Sequence, residues 1–374
     1  MSAAPGEPRS APSPKLTLGS GGWLLLLAAL LVLAASVWRL RDMFAHGGGH
    51  AVGDGRHLES YGFELSPCLV PREQLVGCGL PRDGLPVLDE PPLWNAEQVN
   101  ALMHARSGKY LVPADRVIGV FLDGRARAYP LRALNWHEIV NDTLGGRPIA
   151  VTYSPLGDAA VVFGRVVKKS DGGADTISFG HSGLLYNSDL VMYDRRPGHT
   201  GESLFSQLQA RAIAGPAAQG GRRLEILPSE LLCWDDWQRL HPETTVLSMP
   251  RSQTERYSRD PYISYYGSDV LRFPVAPLPA SREMEYKTEC LALRGGEKWL
   301  LVPFPVLARH AGAGGTWTTE WEGRPLTLLY RGDPPSARAV EAGVADAAAG
   351  ALPAVHCFWF AWFSTAPGDY EILR

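Results

Sequence analysis

Cysteine is scarce in this chain, and none of the five, Cys68, Cys78, Cys233, Cys290 and Cys357, belongs to a Cys-x-x-Cys pair. A cysteine-built zinc knuckle and a thioredoxin-type centre are thereby excluded. No Gly-x-Ser-x-Gly is present, so a hydrolase nucleophile elbow has no support. His137-Glu138 lacks the His-Glu-x-x-His spacing of a zinc protease, and no nucleotide-binding motif occurs. Long basic runs are missing too, and with a formal charge of -3 nucleic acid is not an expected partner.

What the chain does have is length and apolar content. Its 374 residues, 45% of them hydrophobic, can build one large or two ordinary domains. Residues 1–22, rich in Ser, Pro, Ala and Gly, are expected to be a disordered tail. The apolar run from Trp23 to Trp38 follows. As a helix it reaches about 24 Å, short of the roughly 30 Å hydrocarbon layer, and Leu40, Met43 and Phe44 extend it with Arg39 and Arg41 snorkelling. A single transmembrane anchor or signal-anchor over residues 23–44 is therefore expected, with tryptophans at both interfaces. A cleaved signal peptide is the alternative, but Ala34-Ala35-Ser36 is only a rough cut site. The expected placement is the cell membrane, single-pass, with the soluble part extracytoplasmic and the membrane as the first partner. Cys68 and Cys78 could then close a short loop; free buried cysteines are the other reading.

Residues 45–110 read as a flexible linker followed by a proline-rich arm. A first unit is expected over residues 111–250. Val117–Leu122 and Arg125–Tyr129 form a hairpin about Asp123-Gly124, with Arg127 on one face of its second strand. Pro130 opens a helix expected to run to Asn141, pairing His137 with Asn141 and Glu138 with Asp142. Ile149–Ser154 is a strand ended by Pro155, and Ser154–Asp158 is a polar loop at its tip. Asp158, His181, Tyr186 and Asn187 line a pocket if that loop meets the segment after it; a satisfied polar network is the alternative. Ser229 is expected to cap a helix bearing Leu231, Trp234, Trp237 and Leu240 on one face.

After a tyrosine-rich linker over residues 251–284, the pattern returns in a shorter unit over residues 285–374. Gly323-Arg324-Pro325 leading to Tyr330 parallels Gly146-Arg147-Pro148 leading to Tyr153, and Trp359/Trp362 parallel Trp234/Trp237. The second copy lacks most of the material containing His181 to Arg195. The expected fold is thus α+β and β-rich: two related units of short strands with a few packed helices, preceded by one N-terminal transmembrane helix.

Arg127-Ala128-Tyr129-Pro130, Asn135-Trp136-His137-Glu138-Ile139-Val140-Asn141-Asp142, Val151-Thr152-Tyr153-Ser154-Pro155-Leu156-Gly157 and Ser182-Gly183-Leu184-Leu185-Tyr186-Asn187-Ser188-Asp189 resemble the DUF3179 family, together with Pro81–Pro86. This is a bacterial and archaeal family of uncharacterised, often exported or membrane-anchored proteins. Where the family commonly reads Cys-Pro-Leu-Cys-Gly, this chain has Ser154-Pro155-Leu156-Gly157-Asp158, so the two thiolates that could hold a soft metal or cycle a disulfide are absent. Three functions are compatible with these residues. The first is a non-catalytic binding or assembly module with an unidentified protein or small-molecule partner, using Arg127, Ser154, Tyr186 and Asn187 as ligand contacts. The second is an enzyme built on His137, Asp158 and His181, with a histidine as base. The third is a divalent-metal protein using His137, Glu138 and His181.

Overall fold

The alternation of apolar residues and the turns between them place the following elements in this computed structural model, which describes residues 52–104, 110–168, 172–249, 251–280, 284–296, 298–343, 351–365 and 368–374. The expected tail and anchor, residues 1–22 and 23–44, lie outside the described residues. Among the described residues, no helix is long and apolar enough to cross a membrane.

The proline-rich arm supplies β1 (Leu75–Gly77), β2 (Leu88–Asp89) and β3 (Leu93–Asn95), then helix α1 (Ala96–His104). The first repeat begins with β4 (Arg116–Leu122), β5 (Arg125–Pro130), α2 (Leu131–His137), β6 (Ile139–Leu144), β7 (Arg147–Ser154) and β8 (Ala159–Gly164). An insertion follows: β9 (Val166–Lys168), β10 (Ala174–Thr176), β11 (Phe179–Tyr186), β12 (Asp189–Asp194), β13 (Leu204–Ser206), β14 (Arg211–Ala214) and α3 (Pro216–Gln219). The repeat then closes with β15 (Glu230–Cys233), α4 (Trp234–Leu240) and β16 (Thr245–Leu247). Short helices α5 (Thr254–Tyr257) and α6 (Ile263–Tyr266) occupy the connecting segment. The second repeat is β17 (Glu289–Arg294), β18 (Trp299–Pro303), α7 (Phe304–Ala311), β19 (Thr316–Trp321), β20 (Arg324–Gly332), β21 (Pro335–Glu341), β22 (Ala354–Phe358), α8 (Trp359–Thr365) and β23 (Tyr370–Ile372). Element for element it matches the first repeat with the insertion removed.

The two repeats do not form separate sheets. One eight-stranded sheet runs β19-β20-β21-β15-β4-β5-β16-β3 and the other β2-β6-β7-β8-β22-β17-β18-β23, so each joins a three-strand meander of one repeat to four strands of the other. The two junctions are equivalent. Leu231 of β15 stands opposite Ala337 of β21, and its counterpart His356 of β22 stands opposite Ala160, the counterpart of Ala337. The exchange of strands between the repeats is reciprocal.

Side-chain alternation explains the layering. Ile149, Val151, Tyr153, Ala160 and Val162 face β4 and β5 across one core, while Ala150, Val161 and Phe163 face the insertion across another. The sheet β1-β11-β12-β13-β14, made of four insertion strands and β1 of the arm, covers that second face. With both faces covered, β7 and β8 are buried almost throughout, as a central sheet layer requires.

Two local expectations are corrected. Helix α2 ends at His137, because Glu138 turns left-handed at φ 56° and Ile139–Leu144 pairs with β7 as a strand. Asn141 and Asp142 are therefore not one helical turn beyond His137 and Glu138. Ser229 caps no helix either: Glu230–Cys233 is a strand against β4, and α4 starts at Trp234. In both places burial between layers outweighs the helical spacing of the apolar residues. The hairpin at Asp123-Gly124 forms as expected, with both φ values positive (48° and 73°), the pattern of a type I′ turn.

Candidate functional site

The turn between β7 and β8 carries a buried carboxylate. Asp158 is left-handed at φ 44°, a conformation that short polar side chains tolerate, and it stands where the resembled pattern has glycine. Its Oδ1 accepts from the Tyr153 hydroxyl at 2.6 Å and from Arg116 Nη1 at 3.1 Å, and its Oδ2 accepts from Arg116 Nη2 at 2.9 Å. Arg116 is the first residue of β4, and its Nη2 also lies 3.6 Å from Oε1 of Glu289, the first residue of β17. Arg116 and Glu289 hold equivalent positions in the two repeats, since Arg116 opposes Cys233 as Glu289 opposes Phe358. The ion cluster thus sits where the repeats join.

The fields there are strong because Asp158 is buried and Arg116 and Glu289 are each only about a quarter exposed. Burial raises the Glu289 carboxyl to about 7, Asp158 adds to the rise, and Arg116 opposes it. Burial works against the charge on Arg116, yet Asp158, Tyr153 and Glu289 outweigh it and hold the guanidinium more firmly protonated than usual. His356, on the adjoining strand, is held neutral, lowered to about 3 by burial and then by the Arg116 charge; its Nε2 has no hydrogen-bond partner among the described residues.

The tyrosine-rich segment covers this turn. Tyr265 donates to the Leu156 carbonyl at 2.7 Å, and the Tyr266 hydroxyl lies 3.0 Å from that of Tyr153. Beneath the turn, the Phe358 N–H donates to the Gly157 carbonyl at 2.7 Å. A Cβ at Gly157 would lie 3.1 Å from that of Ala361, so the residue that replaces the second family cysteine here lets α8 approach closely. Ser154 donates to the Ser188 carbonyl at 3.3 Å.

His181 and Glu138 meet at a second centre. The Gly183 N–H donates to His181 Nδ1 at 3.2 Å, so Nε2 carries the ring proton and donates to Glu138 Oε2 at 3.1 Å. His137 turns elsewhere. Its Nδ1 donates to the Pro86 carbonyl and its Nε2 accepts from the Tyr257 hydroxyl, both at 2.6 Å, and burial lowers its pKa. Among the described residues, no group of three or more His, Cys, Asp and Glu side chains is arranged to hold a metal ion.

The remaining sequence candidates are also engaged. Asn187 donates to the Ser364 carbonyl at 2.7 Å and accepts from the Ala276 N–H at 3.0 Å. Tyr186 packs in the apolar cluster with Tyr61 and Tyr193. Arg127 is bound by Asp142 at 2.5 Å and by the Thr143 carbonyl at 3.1 Å, and it lines an open cleft of about 680 Å³. Arg125, His241, Glu243 and Thr245 complete the polar part of that cleft, and Phe121 contributes to its apolar part. Arg116, Glu289, Tyr266 and His356 escaped the sequence reading. The available signal was a charged residue heading each of two equivalent apolar strands.

The model of a protein family, described as a protein of unknown function (DUF3179), matches residues 82–368. No curated protein and no solved structure matches the chain.

Proposed function

The chain belongs to the DUF3179 family, and on that premise we propose that it is a binding module, tethered to the membrane through residues 23–44 and held outside the cytoplasm. The tether and the placement rest on the apolar run from Trp23 to Trp38. The observation that carries the binding reading is that the three acid–base groups singled out in the sequence, Asp158, His181 and His137, are all held by the fold. Asp158 is bound by Arg116 and Tyr153, His181 by Glu138 and Gly183, and His137 by Pro86 and Tyr257. A general base needs a free lone pair within reach of a substrate proton; the ring nitrogens of His137 and His181 are engaged by the fold, and Asp158 is held by the Arg116 charge and the Tyr153 hydroxyl. Among the clefts open on the described residues, the one beside Arg125, Arg127 and Glu243 has mixed charges that suit a small polar molecule or a charged peptide segment.

One observation favours a second reading. Glu138 adopts a left-handed conformation while holding His181, and strain of this kind concentrates at functional sites. A histidine-based enzyme would use that pair. A thermal-shift screen of amino acids, carboxylates and sugar phosphates separates the two readings. Stabilisation lost in Arg125→Ala supports binding in the cleft, and stabilisation lost only in His181→Gln supports the second centre.

A further inference from the structure

Five free cysteines are spread over the fold, and the strand register brings two of them face to face. Cys290 of β17 stands directly opposite Cys357 of β22 in the antiparallel ladder. Trp359 N–H donates to the Thr288 carbonyl, which makes 288/359 a hydrogen-bonded pair and, two residues along, 290/357 another. Such pairs have Cα atoms about 5.5 Å apart, inside the range of about 4.4–6.8 Å that a disulfide spans. Residues directly opposed across a ladder project to the same face, and both cysteines belong to one buried apolar cluster. The other three are held apart from this arrangement. Cys68 bridges Ala214, Cys78 donates its N–H to Gly183, and Cys233 contacts Asp236 and Arg331.

The place of the pair matters. Cys290 follows Glu289, which reaches Arg116, and Cys357 precedes Phe358, whose N–H holds the Gly157 carbonyl. A bond between them would fasten the two strands that support the Asp158 turn from below. We infer that Cys290 and Cys357 are a modification site, a thiol pair that closes to a cross-strand disulfide and ties β17 to β22, the second-repeat strand that borders β8 of the first repeat. Each thiol loses its proton, a bond forms between the two sulfurs, and the electron pair passes to an external disulfide such as oxidised glutathione, which leaves as two thiols. Burial pushes both thiols up, so the thiolate needed for exchange forms readily only before the core closes.

The test is refolding of the full chain from denaturant in glutathione buffers of stepped reduction potential, followed by acid quench, alkylation and peptide mapping. The expected result is a linked peptide pair containing Cys290 and Cys357 at oxidising poise, absent at reducing poise and absent in Cys290→Ala. Free, alkylated Cys290 and Cys357 at oxidising poise, or linkage of either to Cys68, Cys78 or Cys233, would overturn the inference. If Cys290→Ala fails to fold, Cys357→Ser serves as the same control. The result does not depend on where the cell places the protein. A pair that links in glutathione buffer but is found free in protein taken directly from cells would count against the extracytoplasmic placement alone.

Discussion

Arg116 and Glu289 are the same residue position in two copies of one motif, and they meet across the junction of those copies with Nη2 3.6 Å from Oε1. One copy supplies the cation and the other the anion, so the equivalence that lets the repeats exchange strands also makes their contact attractive. Asp158 adds a bidentate hold on the same guanidinium.

Arg116→Ala should destabilise the protein by about 3 kcal/mol or more, because it strands the Asp158 carboxylate, only 3% exposed, without its counter-charge. Denaturant unfolding measures this, and Asp158→Asn added to Arg116→Ala should restore part of the loss. A loss under about 1 kcal/mol would mean that the cluster behaves as an exposed ion pair.

Stability should fall as pH rises from about 5 to about 8. Asp189, Glu230 and Glu289 are each raised to about 7 by burial, and Asp194 is raised in the same direction. A carboxyl raised on folding holds its proton in the native state after the unfolded chain has lost it, so its contribution is full below the unfolded value and disappears as pH climbs through the folded one. His137 and His356, both lowered, act in the opposite sense below pH 6.5, but they are two against four. Calorimetry should give a higher Tm at pH 5 than at pH 8, and Glu289→Gln should flatten the slope.

Gly119→Ala should cost about 1–3 kcal/mol through overpacking. A Cβ there would come 2.2 Å from Trp237 Cε3, and Trp237 is fixed by its indole N–H donating to Thr244 at 2.9 Å. Gly124→Ala, at a turn where a Cβ meets nothing within 4 Å, should show only the penalty of its positive φ.

Much of the architecture was legible because repeats, turns and strand alternation are local signals. Pro148 to Tyr153 and Pro325 to Tyr330 announced the duplication, and Asp123-Gly124 its first hairpin. The end of α2 and the strand before α4 were not legible, since Ile139–Leu144 and Glu230–Cys233 are shaped by pairing with distant strands. The same limit governed the site. Asp158 could be singled out from its loop, but Arg116 and Glu289 become its neighbours only through the exchange of strands between repeats, and Tyr266 only through the segment laid over the turn. His137 and His181, close in residue type and suggestive in sequence, are each tied to other partners.

In the proposed binding module, Asp158, His137 and His181 serve the fold and the cleft beside Arg125 serves the ligand. This division of roles is tested most directly by calorimetric titration of the best stabiliser found in a ligand screen into the wild type, Arg125→Ala and His181→Gln. The account predicts that affinity falls at least tenfold, about 1.4 kcal/mol, in Arg125→Ala and stays within twofold in folded His181→Gln. The reverse pattern, with binding retained in Arg125→Ala and lost in His181→Gln, would contradict it.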